Sequence, residues 1–192
     1  MKKNLLSLSV IAMTTLALTG TALAGSTDLN VNFTANIRET TCDMKLVGGT
    51  GTDTQQTLKI GDSSGQVRLE TVKAGTASAN FKLVIVECPS SLHALKTNIK
   101  GTPASNLATG LANQIAKASG GAEYVAVEVA RASAQNAPFK INSTVDAERL
   151  VWSTEEITNK EVPLIATLRE TQADQMTIGT FQSVATFEFI YE

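Results

Sequence analysis

The side chains with most chemistry to offer are two cysteines, Cys42 and Cys88, and a single histidine, His93. Thiolates and an imidazole are zinc-type ligands, but a closed site needs four donors and His93 has no companion. The same two thiols close one disulfide if the chain is exported to an oxidising compartment. Two adjacent carboxylates, Glu155 and Glu156, are the nearest thing to an acid–base pair. Neighbours in sequence point to opposite faces of a strand or sit in a turn, whereas paired-carboxylate catalysis needs both groups facing one bond. No G-x-S-x-G elbow and no phosphate-binding glycine loop occurs. Asn32-Phe33-Thr34 and Asn142-Ser143-Thr144 fit the glycosylation triplet, which is common by chance. The expectation is a chain with no catalytic residues, no metal and no cofactor.

The start of the chain decides the fate of the thiols. Lys2 and Lys3 precede an apolar run from Leu5 to Leu18, and Ala22-Leu23-Ala24 follows. A positive end, a short greasy centre and a small-x-small site describe a secretory leader over residues 1–24, cleaved after Ala24. The run is broken by Ser7, Ser9, Thr14 and Thr15 and is short for a membrane span. Export makes the Cys42–Cys88 disulfide the simplest expectation, closing a loop of about 46 residues that contributes roughly 4 kcal/mol by loop entropy. The chain has 16 Lys and Arg against 18 Asp and Glu, and two of those lysines lie in the leader. It lacks the basic excess that nucleic-acid binding needs. No other long apolar stretch is present, so no membrane span is expected.

Beyond the leader, strand signals recur at short intervals. Leu29, Val31, Phe33, Ala35 and Ile37 alternate with Asp28, Asn30, Asn32, Thr34, Asn36 and Arg38, one apolar and one polar face at period two. A Gly/Thr-rich turn over 48–54 leads to a short strand at 57–60. Phe81–Cys88 is a strongly apolar strand stopped by Pro89. Further strands are expected at 97–100, 124–129, 139–142, 150–152, 162–168 and 181–191. One stretch, 106–118, has Leu107, Leu111 and Ile115 at helical spacing, but Gly110 and Gly120-Gly121 reduce it to one or two turns or a loop. Trp152 reads as a core or edge aromatic. Many short strands separated by turns indicate an all-β antiparallel sandwich.

The two ends carry the functional signal. Residues 25–38 form an extended arm that can reach roughly 45 Å. At the other end Phe187, Phe189 and Tyr191 alternate in a last strand with no successor to pair with. An uncovered edge of that kind is a hazard unless another chain covers it. An arm that reads as a strand and an edge that lacks one are complementary, and joining them between copies gives a head-to-tail contact that need not close.

Residues at both ends make the resemblance specific. The sequence resembles the pilins of the chaperone–usher family, subunits of type 1 and P pili in Gram-negative bacteria. Gly179 stands fourteenth from the end and Tyr191 next to last. Val31-Asn32-Phe33-Thr34-Ala35-Asn36-Ile37 leads to Cys42, and Ala185-Thr186-Phe187-Glu188-Phe189-Ile190-Tyr191 is similar to pilin C-termini. Cys42 and Cys88 match the family's single disulfide. One departure is Ala35, where the family usually has glycine in an F-x-G arrangement.

The resemblance implies an incomplete immunoglobulin-like β-sandwich of residues 39–192 that lacks its last strand and is completed by a donor strand from another chain. Leu29, Val31, Phe33, Ala35 and Ile37 would be the donor residues. Gly179, Phe187, Phe189 and Tyr191 would belong to the acceptor groove, met first by a periplasmic chaperone. At the outer-membrane usher the arm of a neighbouring pilin subunit would replace the chaperone. Such a subunit would pass through the periplasm to the cell surface, take its place in a fimbria and support cell adhesion. The alternative from another class is a self-contained exported immunoglobulin-like binding module that uses its loops.

Overall fold

Alternating apolar and polar residues dominate the chain after Cys42, and they form strands wherever turn residues let the chain reverse. In the computed structural model, residues 41–192 are described, and they lie in one folded unit. The expected leader (1–24) and arm (25–38), with Leu29, Val31, Phe33, Ala35 and Ile37, fall outside the described residues.

The first element among the described residues is β1 (Asp43–Val47), followed by the small hairpin β2 (Thr50–Gly51) and β3 (Gln56–Thr57) and a five-residue helix α1 (Leu69–Lys73). β4 (Ser78–Glu87), β5 (Leu95–Lys100), β6 (Pro103–Ala104) and β7 (Leu107–Ala112) come next. A 3-10 turn at Lys117–Ser119 precedes β8 (Val125–Arg131) and β9 (Leu150–Val151). Helix α2 (Thr154–Asn159), β10 (Glu161–Glu170) and β11 (Thr186–Tyr191) complete the order. Among the described residues six strands make one sheet in the order β1-β4-β10-β8-β7-β6, three make a second in the order β11-β5-β9, and β2 and β3 pair by themselves. The named strands pair antiparallel throughout.

The core lies between the sheets. Phe81, Leu83 and Ile85 of β4, Val125, Val127 and Val129 of β8, and Val162, Leu164, Ala166 and Leu168 of β10 face Leu95 and Ile99 of β5. Trp152 is buried among them, and its indole N–H donates to Thr97 Oγ1 at 2.9 Å. Cys42 and Cys88 form a disulfide spanning 46 residues. It pins the start of β1 to the end of β4, where Asp43 pairs with Glu87.

Three local expectations are corrected. The stretch 106–118 is strand β7 followed by a 3-10 turn rather than helical turns. Gly110 pairs with Glu128 in the sheet, and a Cβ there would come 2.7 Å from the Ala126 methyl. The close strand contact, not the four-residue leucine spacing, decides the conformation. Residues 139–142 are not a strand, although Phe139 and Ile141 are buried; their amides bond to Val129 and Ala108 carbonyls outside any ladder. The strand expected at 57–60 ends at Thr57, and Leu58 and Ile60 pack against the core from a loop.

Glu155 and Glu156 sit in the first turn of α2. Ser153 Oγ accepts from the Glu156 amide at 3.1 Å while Glu156 Oε2 accepts from the Ser153 amide at 2.7 Å, a capping box. Glu156 also holds Arg131 Nε at 2.7 Å. Burial works to raise the Glu156 carboxyl, but the Arg131 guanidinium and the Ser153 amide outweigh it and hold the group below its usual range. The adjacent carboxylates are thus divided between a cap and solvent.

Replacing both cysteines with serine should lower stability by about 4 kcal/mol, the loop-entropy value for this closure, read from denaturant melts of the full chain. An unchanged midpoint would show that the bridge does not staple β1 to β4.

Candidate functional site: the open edge of β11

Apolar residues alternate along 181–191, so one face of this segment must seek the core. Phe181, Ala185, Phe187, Phe189 and Tyr191 do pack against it, while Gln182, Val184, Thr186 and Glu188 are exposed. The regular strand, however, begins at Thr186. Phe187, Phe189 and Tyr191 are half-buried, whereas their cross-strand partners Ile99, Thr97 and Leu95 are at most 1% exposed. Among the described residues the core is therefore sealed on the β5 side and only half-covered on the β11 side.

The ladder shows where the unused hydrogen-bonding capacity lies. Glu192 N donates to Ala94 O at 2.9 Å and Ala94 N to Glu192 O at 2.8 Å. Antiparallel pairs alternate between exchanging both bonds and exchanging none. The exchange therefore recurs at Ile190/Lys96, Glu188/Asn98 and Thr186/Lys100. Consistent with this, Leu95 and Ile99 turn their carbonyls away from β11, accepting from Trp152 and Asn142 amides at 2.9 and 2.8 Å. The N–H and C=O groups of Phe187, Phe189 and Tyr191 thus point outward, along an edge that no strand among the described residues covers. The residues that present the open apolar face also present the open backbone.

The opposite rim is β1, one of the two edge strands of the larger sheet among the described residues. Met44 and Leu46 are half-buried against the core, as the β11 aromatics are. Phe81 on neighbouring β4 meets Phe187 with ring centroids 5.8 Å apart. At one end Tyr191 Oη donates to the Cys42 carbonyl at 3.4 Å, joining the two sheets beside the disulfide. Burial, and then the Asp43 carboxylate, push the Tyr191 phenol up. His93 is exposed, and its amide donates to Glu192 O at 2.9 Å.

At the other end the approach to β11 is pinned. Thr180 N donates to Gly120 O at 2.8 Å, Ala122 N to Thr180 O at 3.0 Å and Thr177 N to Glu123 O at 3.2 Å. Gly179 lies in this crossing, where a Cβ would stand 2.5 Å from the Ala122 nitrogen and 2.7 Å from the Gly121 carbonyl carbon. Only glycine lets the two backbones approach so closely. Asn113 completes the anchor, donating to the carbonyls of Ala122 and Thr180 and accepting from the Gln182 and Ile115 amides. Ser183 Oγ, on the inward side, is buried with no hydrogen-bond partner among the described residues.

The outer face of β11 is fixed by charge. Asn98, 2% exposed, donates to Glu188 Oε2 at 2.9 Å and accepts from Arg149 at 3.1 Å, with Lys100 3.5 Å from Glu188. The Asn98 hydrogen bond, then the Lys100 ammonium, hold the Glu188 carboxyl below its usual value. Lys96 meets Glu192 at 2.8 Å and Asp146 at 3.3 Å.

Sequence reasoning placed Phe187, Phe189 and Tyr191 on one face but missed β1, Asn113 and Asn98. The Met44-Lys45-Leu46 alternation was the available signal for β1. A buried asparagine in a strand carries no comparable signature. Among the described residues, no group of three His, Cys, Asp or Glu side chains could hold a metal, and no helix is long and apolar enough to cross a membrane.

A model of the fimbrial proteins matches residues 31–192. The chain belongs to the fimbrial protein family. A fimbrial-like protein of Escherichia coli K12, YadM, is 33% identical over 172 residues, spanning 87% of this chain and 88% of that one. The crystal structure of the P pilus rod subunit PapA aligns with a TM-score of 0.52 and 18% identity, over 85% of this chain and all of that one. The fold is that of the pilin subunits, an immunoglobulin-like sandwich, and this fimbrial subunit belongs to a structural family rather than an enzymatic one.

Two measurements test the geometry of the fimbrial subunit's edge. Gly179→Ala should cost about 1–3 kcal/mol through overpacking, seen as a lower denaturation midpoint; an unchanged midpoint would mean the crossing is loose. Because the Glu188 carboxyl is depressed in the folded state, its contribution is present above its ordinary value of 4.5 and lost as pH falls through the lower folded value. Melting temperature should therefore fall below pH 4.5, and less steeply in Glu188→Gln.

Proposed function

We propose that this fimbrial subunit polymerises by donor-strand exchange, the arm 25–38 of one copy completing the sandwich of the next. The observation that carries this reading is the edge of β11 that no strand among the described residues covers, where Phe187, Phe189 and Tyr191 present both half-buried apolar side chains and outward backbone groups. A strand with apolar residues at alternate positions satisfies both at once. Leu29, Val31, Phe33, Ala35 and Ile37 offer that pattern, and their nine-residue span equals that of 183–191. Inserting them removes several hundred Å² from water, an upper bound of order 10 kcal/mol before ordering costs.

On this reading residues 1–24 direct export and are removed, and 39–192 form the pilin domain. A periplasmic chaperone covers the β11 edge first, because an open apolar groove invites aggregation. The usher at the outer membrane then exchanges the chaperone's strand for a neighbour's arm. Gly179 shapes the approach to the groove without lining it. The completed fibre stands at the cell surface and supports adhesion, with kinetic persistence from the high cost of withdrawing a whole strand.

The test is thermal melting of the full chain with a synthetic peptide of residues 25–38. At a hundredfold excess over its Kd the peptide should stabilise by about 2.7 kcal/mol, which for a domain of this size is about 5–10 °C. Phe33→Asp in the peptide should weaken binding at least about a hundredfold, since a buried aromatic is lost and a carboxylate is desolvated. In cells the same change in the arm should leave chaperone capture intact and block incorporation. No shift with the unaltered peptide would overturn the reading.

A further inference from the structure

The registers define two poles of the sandwich. At one, Asp43 pairs with Glu87 beside the Cys42–Cys88 disulfide, and Tyr191 reaches the Cys42 carbonyl. Thr167 pairs with Ser78 and Glu170 with Val125 at the opposite end of the larger sheet. Thr186 pairs with Lys100 at the corresponding end of the smaller one. The crossing of 177–180 with 120–123 lies at this second pole. It carries Ile178, 87% exposed and the most exposed of the large apolar side chains among the described residues, with Tyr124 at 40% and Val184 at 52%. A side chain of that kind, held on a segment pinned by three backbone hydrogen bonds, is a fixed apolar knob with nothing described above it.

The chain outside the described residues says what meets it. Between Ile37, the last apolar residue of the arm, and Cys42 stand four residues, Arg38–Thr41. At about 3.4 Å per residue the body of a donor copy lies no more than about 17 Å from the end of its inserted arm. An arm running antiparallel to β11 starts beside Tyr191 and ends beside Ser183, so the donor's disulfide pole is brought onto the acceptor's Ile178 pole. Antiparallel pairing is the more stable per residue, and the described strands pair antiparallel throughout. The parallel direction would instead press the exposed Asp43 and Glu87 of one copy against those of the next.

We infer that the pole formed by Ile178, Tyr124 and the 177–180/120–123 crossing is a second, body-to-body docking surface, and that its partner is the disulfide pole of another copy of this chain. The inference rests on the donor-strand reading and adds to it. The arm supplies attachment, while the short tether and the pole contact fix the angle between consecutive subunits.

Amide hydrogen exchange on the full chain in two states separates the two ideas. In one state the free 25–38 peptide completes the subunit, and in the other subunits have assembled head to tail. β11 should be protected in both states. Residues 120–124 and 177–180 should exchange at least about tenfold more slowly in the polymer than in the peptide-completed subunit. Ile178→Asp should abolish that extra protection while leaving protection of β11 by the peptide unchanged. Equal exchange at 120–124 and 177–180 in the two states, with β11 protected in both, would overturn the docking surface and leave strand exchange standing. Absence of β11 protection by the peptide would overturn the donor-strand reading and this inference with it.

Discussion

A β-strand satisfied along one edge and, among the described residues, without a partner strand along the other governs this molecule. β11 is held to β5 by an alternating ladder that uses the backbone of Thr186, Glu188, Ile190 and Glu192. The same alternation turns the backbone of Phe187, Phe189 and Tyr191 outward. Because side chains also alternate, those three residues are the ones whose rings face the core. Backbone capacity and apolar surface are thereby left open at the same positions, and one strand of alternating apolar residues can meet both needs.

The rest of the structure holds that edge in place. The Asn98–Glu188–Arg149 network and the Lys96 ion pairs fasten its outer face. Exposed ion pairs contribute little to stability individually, but Asn98 is buried and satisfied on both sides of its amide, so it defines the register. Asn113 and the Gly179 crossing fix one end, and Tyr191 with the disulfide fixes the other. A strand anchored at both ends keeps its register instead of slipping into a different pairing.

Much of this was legible in the residues. The 181–191 alternation followed from spacing, Cys42 with Cys88 from there being only two cysteines, and Gly179 as a special position from the family resemblance alone. Phe81–Cys88 was legible as a strand from its apolar run and Pro89; which face it buries, that of Phe81, Leu83 and Ile85, came from the structure. What misled was spacing that two periods share. Leu107, Leu111 and Ile115 lie four apart, which suits one helix face and one strand face equally, and the contact of Gly110 with Ala126 decides between them. Phe139 and Ile141 alternate as a strand would, yet their amides bond to carbonyls outside any ladder. Tertiary pairing of that kind, like the roles of Asn98 and Asn113, leaves no periodic trace in a sequence.

The most direct measurement of the central claim is a mixed-label nuclear Overhauser experiment on the assembled polymer. One half of the copies would carry deuterium and nitrogen-15, and the other half would be protonated. Cross-peaks from protonated Leu29–Ile37 side chains to the labelled amides of Phe187, Phe189 and Tyr191 are the predicted result. Absence of those cross-peaks in the assembled polymer, with the amides of Phe187, Phe189 and Tyr191 themselves observed, would contradict the account.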